Sequence, residues 1–162
     1  MHRIYFILTI VAYTTWANPI QFRTDQLIIS LPNMISASGN TVFNDSTTTI
    51  NATHVSYNLQ NNQAFFNEGV HLHTKKSTLT GDQFRVQYDQ KQITGSGNIT
   101  VLTPEIHAQS NQLQVDDFKI LTLKNNVVAK QNGSQINSNE LIYNLDNDTI
   151  ISDQRIKITI KE

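Results

Sequence analysis

Apolar and polar residues alternate along this chain in short bursts, and the bursts recur. One pattern begins at Ile35, Ala64, Ile93, Leu121 and Ile150, so successive copies are 29, 29, 28 and 29 residues apart. A period of that length marks one supersecondary unit used repeatedly. Within each copy, from Ile35-Ser-Ala-Ser-Gly-Asn-Thr-Val-Phe43 to Ile150-Ile-Ser-Asp-Gln-Arg-Ile-Lys-Ile158, positions one, three, seven and nine are apolar or small in nearly every case. Period two predicts a strand with one buried and one wet face. Gly or a polar residue interrupts the centre, which predicts a bend or bulge there.

A second pattern follows each of the first four copies, beginning at Ile50, Leu79, Ile106 and Ile136. It reads apolar, any, small, two free positions, apolar, any, apolar. The step of three after the small residue changes parity, as a bulge does. The third copy breaks at Asn111 and resumes at Leu113 and Val115. Polar turn residues such as Asn61-Asn62, Asp89-Gln-Lys91, Asn132-Gly133 and Asp146-Asn-Asp148 separate the strands. Each repeat is thus about two bent strands and two turns, and the fold expected is all-β, built from roughly 29-residue units.

The inward positions of this register collect Phe22, Ile35, Phe43, Ile50, Val55, Tyr57, Phe66, Val70, Leu72, Leu79, Phe84 and Val86. They continue with Ile93, Ile99, Val101, Leu113, Val115, Leu121, Leu123, Val127, Ile136, Leu141 and Tyr143. Such a face serves either as a plain sandwich core or as a long groove between two sheets that holds an apolar ligand.

The first residues follow a different rule. His2 and Arg3 precede an apolar run from Ile4 to Tyr13, and Thr15-Trp16-Ala17 supplies a small residue suited to cleavage before Asn18. The run is too short to span a bilayer, which takes roughly 20 residues. Residues 1–17 are therefore expected to be a signal peptide and 18–162 a single exported domain. Retention of the segment as a membrane anchor is the alternative.

Composition narrows the chemistry. At 162 residues with 38% hydrophobic and 15% charged, the chain suits one ordinary domain with a modest core. There is no cysteine, so disulfides, thiolate metal sites, cysteine nucleophiles and lipidated N-terminal cysteines are excluded. Twelve Lys and Arg face 13 Asp and Glu, for a net charge of -1. The only adjacent basic pair is Lys75-Lys76, which argues against a nucleic-acid partner.

Candidate chemistry is sparse. His71 and His73 share one face of a strand, as a metal pair would, but that face is outward and no third ligand is placed by sequence. His54 and His107 also fall on outward positions. Sequons begin at Asn44, Asn51, Asn98, Asn132 and Asn147, as expected by chance in an Asn- and Thr-rich chain. Glu68, Asp82, Asp116 and Asp117 sit in turns or on wet faces with no acid/base pairing. With no phosphate loop and no Gly-x-Ser-x-Gly, neither enzyme activity nor a cofactor nor a metal is expected.

The stretch Asn18-Pro-Ile-Gln-Phe-Arg-Thr-Asp25 resembles the Pro-Ile-x-apolar-x-Ser/Thr-Asp opening of the LptA, or OstA-like, family of periplasmic lipopolysaccharide-transport bridge proteins. The strands carrying Gly39-Asn40 and Gly97-Asn98, the variant Asn125-Asn126-Val127, and the apolar-x-Ala-x-x-apolar-x-Tyr half-repeat are similar to the same family. The resemblance runs from about Asn18 to Ile160. It implies a β-jellyroll of two antiparallel sheets packed as a V, located in the periplasm, with lipid acyl chains riding in the apolar groove. It further implies lipid contact at Ile20, Val101, Leu113 and Val115, and the inward register adds Phe22 and Phe43 as lipid-binding candidates. The implied partners are lipopolysaccharide, an LptC-like inner-membrane component, an LptD-like outer-membrane component and further copies of the chain.

An open jellyroll also leaves edge strands, near Ile20 and Phe22 at one end and Ile156, Ile158 and Ile160 at the other. Unpaired edges of this kind can join another chain by strand addition. Head-to-tail self-association through them is the corresponding expectation. Two other readings stay open on sequence alone: a membrane-anchored LptC-like component, and a structural β-solenoid or surface protein that holds no lipid.

Overall fold

The computed structural model describes residues 6–10, 20–30, 32–45, 47–151 and 157–159. Its thirteen strands are β1 (Phe6–Ile10), β2 (Ile20–Thr24), β3 (Gln26–Ser30), β4 (Met34–Asn44), β5 (Thr49–Asn58), β6 (Gln63–His73), β7 (Thr78–Gln87), β8 (Gln92–Leu102), β9 (His107–Asp116), β10 (Ile120–Gln131), β11 (Ser134–Asn144), β12 (Thr149–Ile151) and β13 (Lys157–Thr159). They form one antiparallel hydrogen-bonded path from β1 through β2 and β4 to β12, with β3 added to β4 and β13 added to β11. From β4 to β12 each strand pairs with the next one in the chain across a short turn, so pairing there is local.

The single path folds over on itself. Phe43 pairs with Ile50 across β4 and β5, and Tyr57 lies seven residues further along β5. A straight strand would carry Tyr57 about 23 Å away. The Phe43 and Tyr57 rings are instead 6.3 Å apart. Each long strand therefore bends at its middle, and its two halves belong to facing layers. The first layer holds β3, Met34–Ser38, the matching halves of β5 to β11, and β12; the second holds β1, β2, Thr41–Asn44, the other halves, and β13. The two expected sheets are thus two layers of one continuous sheet.

The bends fall where the sequence pattern is interrupted. Register shifts occur between Ser38 and Thr41, Asn67 and Val70, Ser96 and Ile99, and Lys124 and Val127. The skipped pairs all have positive φ: Gly39 and Asn40, Glu68 and Gly69, Gly97 and Asn98, Asn125 and Asn126. Left-handed backbone suits Gly, and Asn tolerates it better than most residues. Glu68 is the exception, and its carboxylate lies 3.5 Å from His54.

Two corners share a further device. Asn40 donates to Asp25 Oδ2 at 2.8 Å, and Asn98 donates to Asp82 Oδ2 at 2.9 Å. The aspartates press against the preceding glycines: a Cβ on Gly97 would collide with Asp82 Oδ2. Gly97, at φ 75°, is therefore required twice over, by backbone conformation and by space. Gly97→Ala should cost about 1–3 kcal/mol in equilibrium denaturation. Gly69→Ala, which meets nothing within 4 Å, should cost only the conformational part, about 1 kcal/mol.

Burial follows the expected alternation closely. Ile35, Ala37, Thr41 and Phe43 are buried, as are Ala64, Phe66, Val70 and Leu72, and the β8 and β10 sets repeat this. The third half-repeat is regular once framed two residues later: Ala108, Ser110, Leu113 and Val115 are buried, which matches Ile50, Ala52, Val55 and Tyr57. Ile106 belongs to the preceding turn, where its N–H donates to Thr103 Oγ1 at 3.0 Å. Asn111 is the skipped residue of an ordinary bulge. The frame also extends backwards, because Phe22-Arg-Thr-Asp-Gln-Leu27 aligns with Leu79-Thr-Gly-Asp-Gln-Phe84. The opening segment is a half-repeat split into β2 and β3 at Asp25.

Candidate functional site

The space between the layers differs along the molecule. At the N-terminal end it is filled by aromatic rings. Phe43 meets Phe22 edge-on with centroids 5.0 Å apart, Phe66 at 5.4 Å and Tyr88 at 6.1 Å. Tyr57 donates to Asn62 Oδ1, and burial, with the nearby Asp89 charge, pushes its phenol up to about 12. The Tyr88 hydroxyl is buried with no hydrogen-bond partner among the described residues. Burial first, then Asp45 and Tyr57, raise its pKa as well. Near the middle, a Cβ on Gly81 or Gly95 would come within 2.6 Å of Ile99 or Phe84, so those side chains occupy the space the glycines leave.

Further along, the layers leave a cavity of about 260 Å³. Leu72 and Leu79 line it from the second layer and Ile93, Val115 and Leu121 from the first, with Phe118, Leu145 and the turn Thr74–Ser77 at its rim. Across that rim runs an ionic clasp. Lys76 Nζ donates to Asp146 Oδ1 at 2.7 Å and to the Leu145 carbonyl at 3.2 Å, and Lys119 Nζ lies 3.0 Å from Asp146 Oδ2. Lys76 sits on the second layer, whereas Asp146 and Lys119 sit on turns of the first.

The clasp is built for neutral pH. Hydrogen bonds from Lys76 and then Lys119 hold the Asp146 carboxyl below the usual carboxylate range. Its stabilising effect is therefore present above the ordinary carboxylate pKa and is lost as pH falls through the folded value. Asp146 in turn holds the Lys119 ammonium above the usual lysine range, so that contribution is lost only as pH rises through a strongly alkaline value. Cross-layer order at this rim should be sensitive to salt yet flat between about pH 5 and 9. Lys119 side-chain NMR shifts across that range check this.

The residues expected to touch lipid are distributed along the interlayer space. Phe22, Phe43, Val101, Leu113 and Val115 are buried between the layers, and Ile20 is half-buried against them. Of these, Val115 lines the cavity; Phe22 and Phe43 belong to the aromatic cluster; Val101 pairs with Leu79 and Ala108; Leu113 pairs with Gly95 and Leu123. Sequence reasoning missed the clasp and Phe118. Lys76, Phe118 and Asp146 are turn residues that only the fold-over brings to one rim.

The edges differ from the simple expectation. The outer side of β2, carrying Ile20 and Phe22, is covered by β1, with Ile10 opposite Ile20 and Leu8 opposite Phe22. These partners come from the expected signal peptide. At the other end Ile158 pairs with Ile136 and is exposed, whereas Ile156 and Ile160 lie outside the described residues. Among the described residues β3 pairs only with β4, and its Ile28 and Ile29 are exposed.

Among the described residues no three His, Cys, Asp or Glu side chains gather as a metal site. His71 and His73 point outward, the latter within 3.1 Å of Thr78 Oγ1.

Residues 49–149 match the profile of the LptA/(LptD N-terminal domain) LPS transport protein family. The chain belongs to this family. The match runs from the start of β5 to the start of β12 and so contains both halves of every long strand from β5 to β11. No curated protein matches the chain. Among solved structures it is similar to LptH of Pseudomonas aeruginosa, the LptA-homologous periplasmic component of the lipopolysaccharide transport device. That alignment has 12% identity, 90% coverage of this chain, 96% coverage of the LptH chain and a TM-score of 0.40. The LptA family assignment agrees with the resemblance carried by the Gly-Asn strands.

Proposed function

We propose that this LptA-family chain is a non-enzymatic periplasmic carrier of lipopolysaccharide, shielding acyl chains between its two layers on the way from inner to outer membrane. The observation that carries the reading is the apolar cavity between the layers, in a chain of a lipopolysaccharide-transport family. An acyl chain in water costs about 0.8 kcal/mol per exposed methylene relative to burial. An interlayer groove lined by Leu and Val removes that cost without chemistry. The charged, sugar-rich headgroup stays outside, where the polar outer faces of the strands do not oppose it.

Residues 1–17 act as a cleaved signal peptide in this reading, so cleavage removes β1 and frees the outer edge of β2. That edge and the C-terminal edge around Ile158 then serve as joints to an LptC-like component, an LptD-like component or another copy of the chain. The membrane-anchored alternative is separated by N-terminal sequencing of the exported protein: a start at Asn18 supports the carrier, and an intact Met1 supports the anchor.

Incubation with purified lipopolysaccharide tests the proposal. The protein should co-elute with the lipid, and the recovered lipid should have unchanged mass. Failure to bind, or release of a cleaved lipid, would contradict it.

A further inference from the structure

The rim of the cavity carries groups that a sealed core does not need. Asp146 is shared by two ammonium groups, Lys76 from the opposite layer at 2.7 Å and Lys119 from the adjacent turn at 3.0 Å. The side chains are 56%, 57% and 44% exposed for Lys76, Lys119 and Asp146, so water and salt compete for every contact. A clasp of this kind joins the layers weakly and exchanges partners easily.

Phe118 stands beside it in an unusual conformation. Asp117 and Phe118 have φ of 51° and 56°, the left-handed pair of a tight hairpin turn where Asn and Gly are preferred. A bulky residue there is strained. The residue is nonetheless 41% exposed and lines the cavity rim. Backbone strain is thus spent to hold an aromatic ring half in water, next to two cations and above an apolar space.

Resting on the lipid-carrier reading, we propose that Lys76, Lys119 and Phe118 form a lateral port into the groove. There a lipid phosphate displaces Asp146 from both ammonium groups while an acyl chain passes Phe118 into the cavity. A phosphate has more acceptor oxygens than the carboxylate and as much charge or more, so it can satisfy both lysines together. Its arrival releases Asp146, and with it the ionic tie between the two layers at this rim. Headgroup capture and opening of the rim are therefore one event. At about 260 Å³ the cavity exceeds the roughly 150 Å³ that holds a benzene ring and suits a segment of one chain; a whole acylated lipid requires the rim to part.

Two kinds of substitution separate a port from a structural clasp, because both break the clasp but only one removes the phosphate ligands. Asp146→Asn leaves both lysines without their competitor, and Lys76→Gln with Lys119→Gln removes the cations. The purified protein is titrated with diphosphorylated lipid A, with its dephosphorylated form and with inorganic phosphate. Asp146→Asn should tighten binding of the phosphorylated lipid about fivefold and the double lysine variant should weaken it about fivefold, each equivalent to one exposed ion pair. The two variants should bind the dephosphorylated lipid alike, and inorganic phosphate should compete poorly. Shifts in the same direction, an equal split with dephosphorylated lipid, or free phosphate binding as tightly as lipid would overturn the port. Binding of lipid by the wild type without any split would remove the port alone, whereas no lipid binding at all would remove the carrier reading with it.

Discussion

Phe43→Ala should lower the unfolding free energy by about 3–5 kcal/mol, a large share of the 5–15 kcal/mol typical of a domain. Phe43 is fully buried and its ring touches Phe22, Tyr57, Phe66 and Tyr88. Three of those partners, Tyr57, Phe66 and Tyr88, come from the opposite layer or its turn. Truncation therefore removes both a large apolar side chain and the main cross-layer contact at this end. Urea denaturation followed by circular dichroism measures the loss. A cost below about 1 kcal/mol would mean that the layers do not pack through this ring.

The second large effect is functional. Leu79→Phe combined with Leu121→Phe should reduce lipopolysaccharide binding by at least about tenfold while leaving stability within about 1 kcal/mol of the wild type. Both leucines are buried and face the cavity from opposite layers. In a close-packed core the added volume would strain the structure, but here about 260 Å³ is available to receive it. Binding and denaturation measured on one preparation separate the two effects. Unchanged binding with the cavity filled would place the lipid elsewhere.

Much of this fold was legible because the governing rule is local. Alternation with a fixed skip determines which side chains face inward, and the skip itself needs residues that accept positive φ, hence Gly39-Asn40, Gly97-Asn98 and Asn125-Asn126. Where small residues blur the alternation, the pattern was harder to frame. Ala108 and Ser110 occupy apolar and small positions, and Ile106 in the turn imitates a start two residues early. The split half-repeat Phe22 to Ile29 escaped for a related reason: Ile28 and Ile29 are both exposed on the edge strand, so its second half shows no alternation in burial.

The candidate site was less legible. Inward residues such as Val101, Leu113 and Val115 follow from register, but register alone does not distinguish filled from open space. Phe84 and Ile99 fill the middle because Gly81 and Gly95 make room for them, while Leu72, Val115 and Leu121 leave a gap. The clasp joins residues 70 positions apart. It depends on the layers having folded over, which no short motif encodes.

The central claim is that lipid travels on the inner face of the bent strands. Photocrosslinkers placed one at a time along β8, β9 and β10, in cells making lipopolysaccharide, test it most directly. Inward positions Val101, Val115 and Leu121 should yield lipopolysaccharide adducts, and their outward neighbours Thr100, Gln114 and Thr122 should not, so that yield alternates with period two. Equal yields on both faces, or adducts confined to the outward positions, would contradict the account.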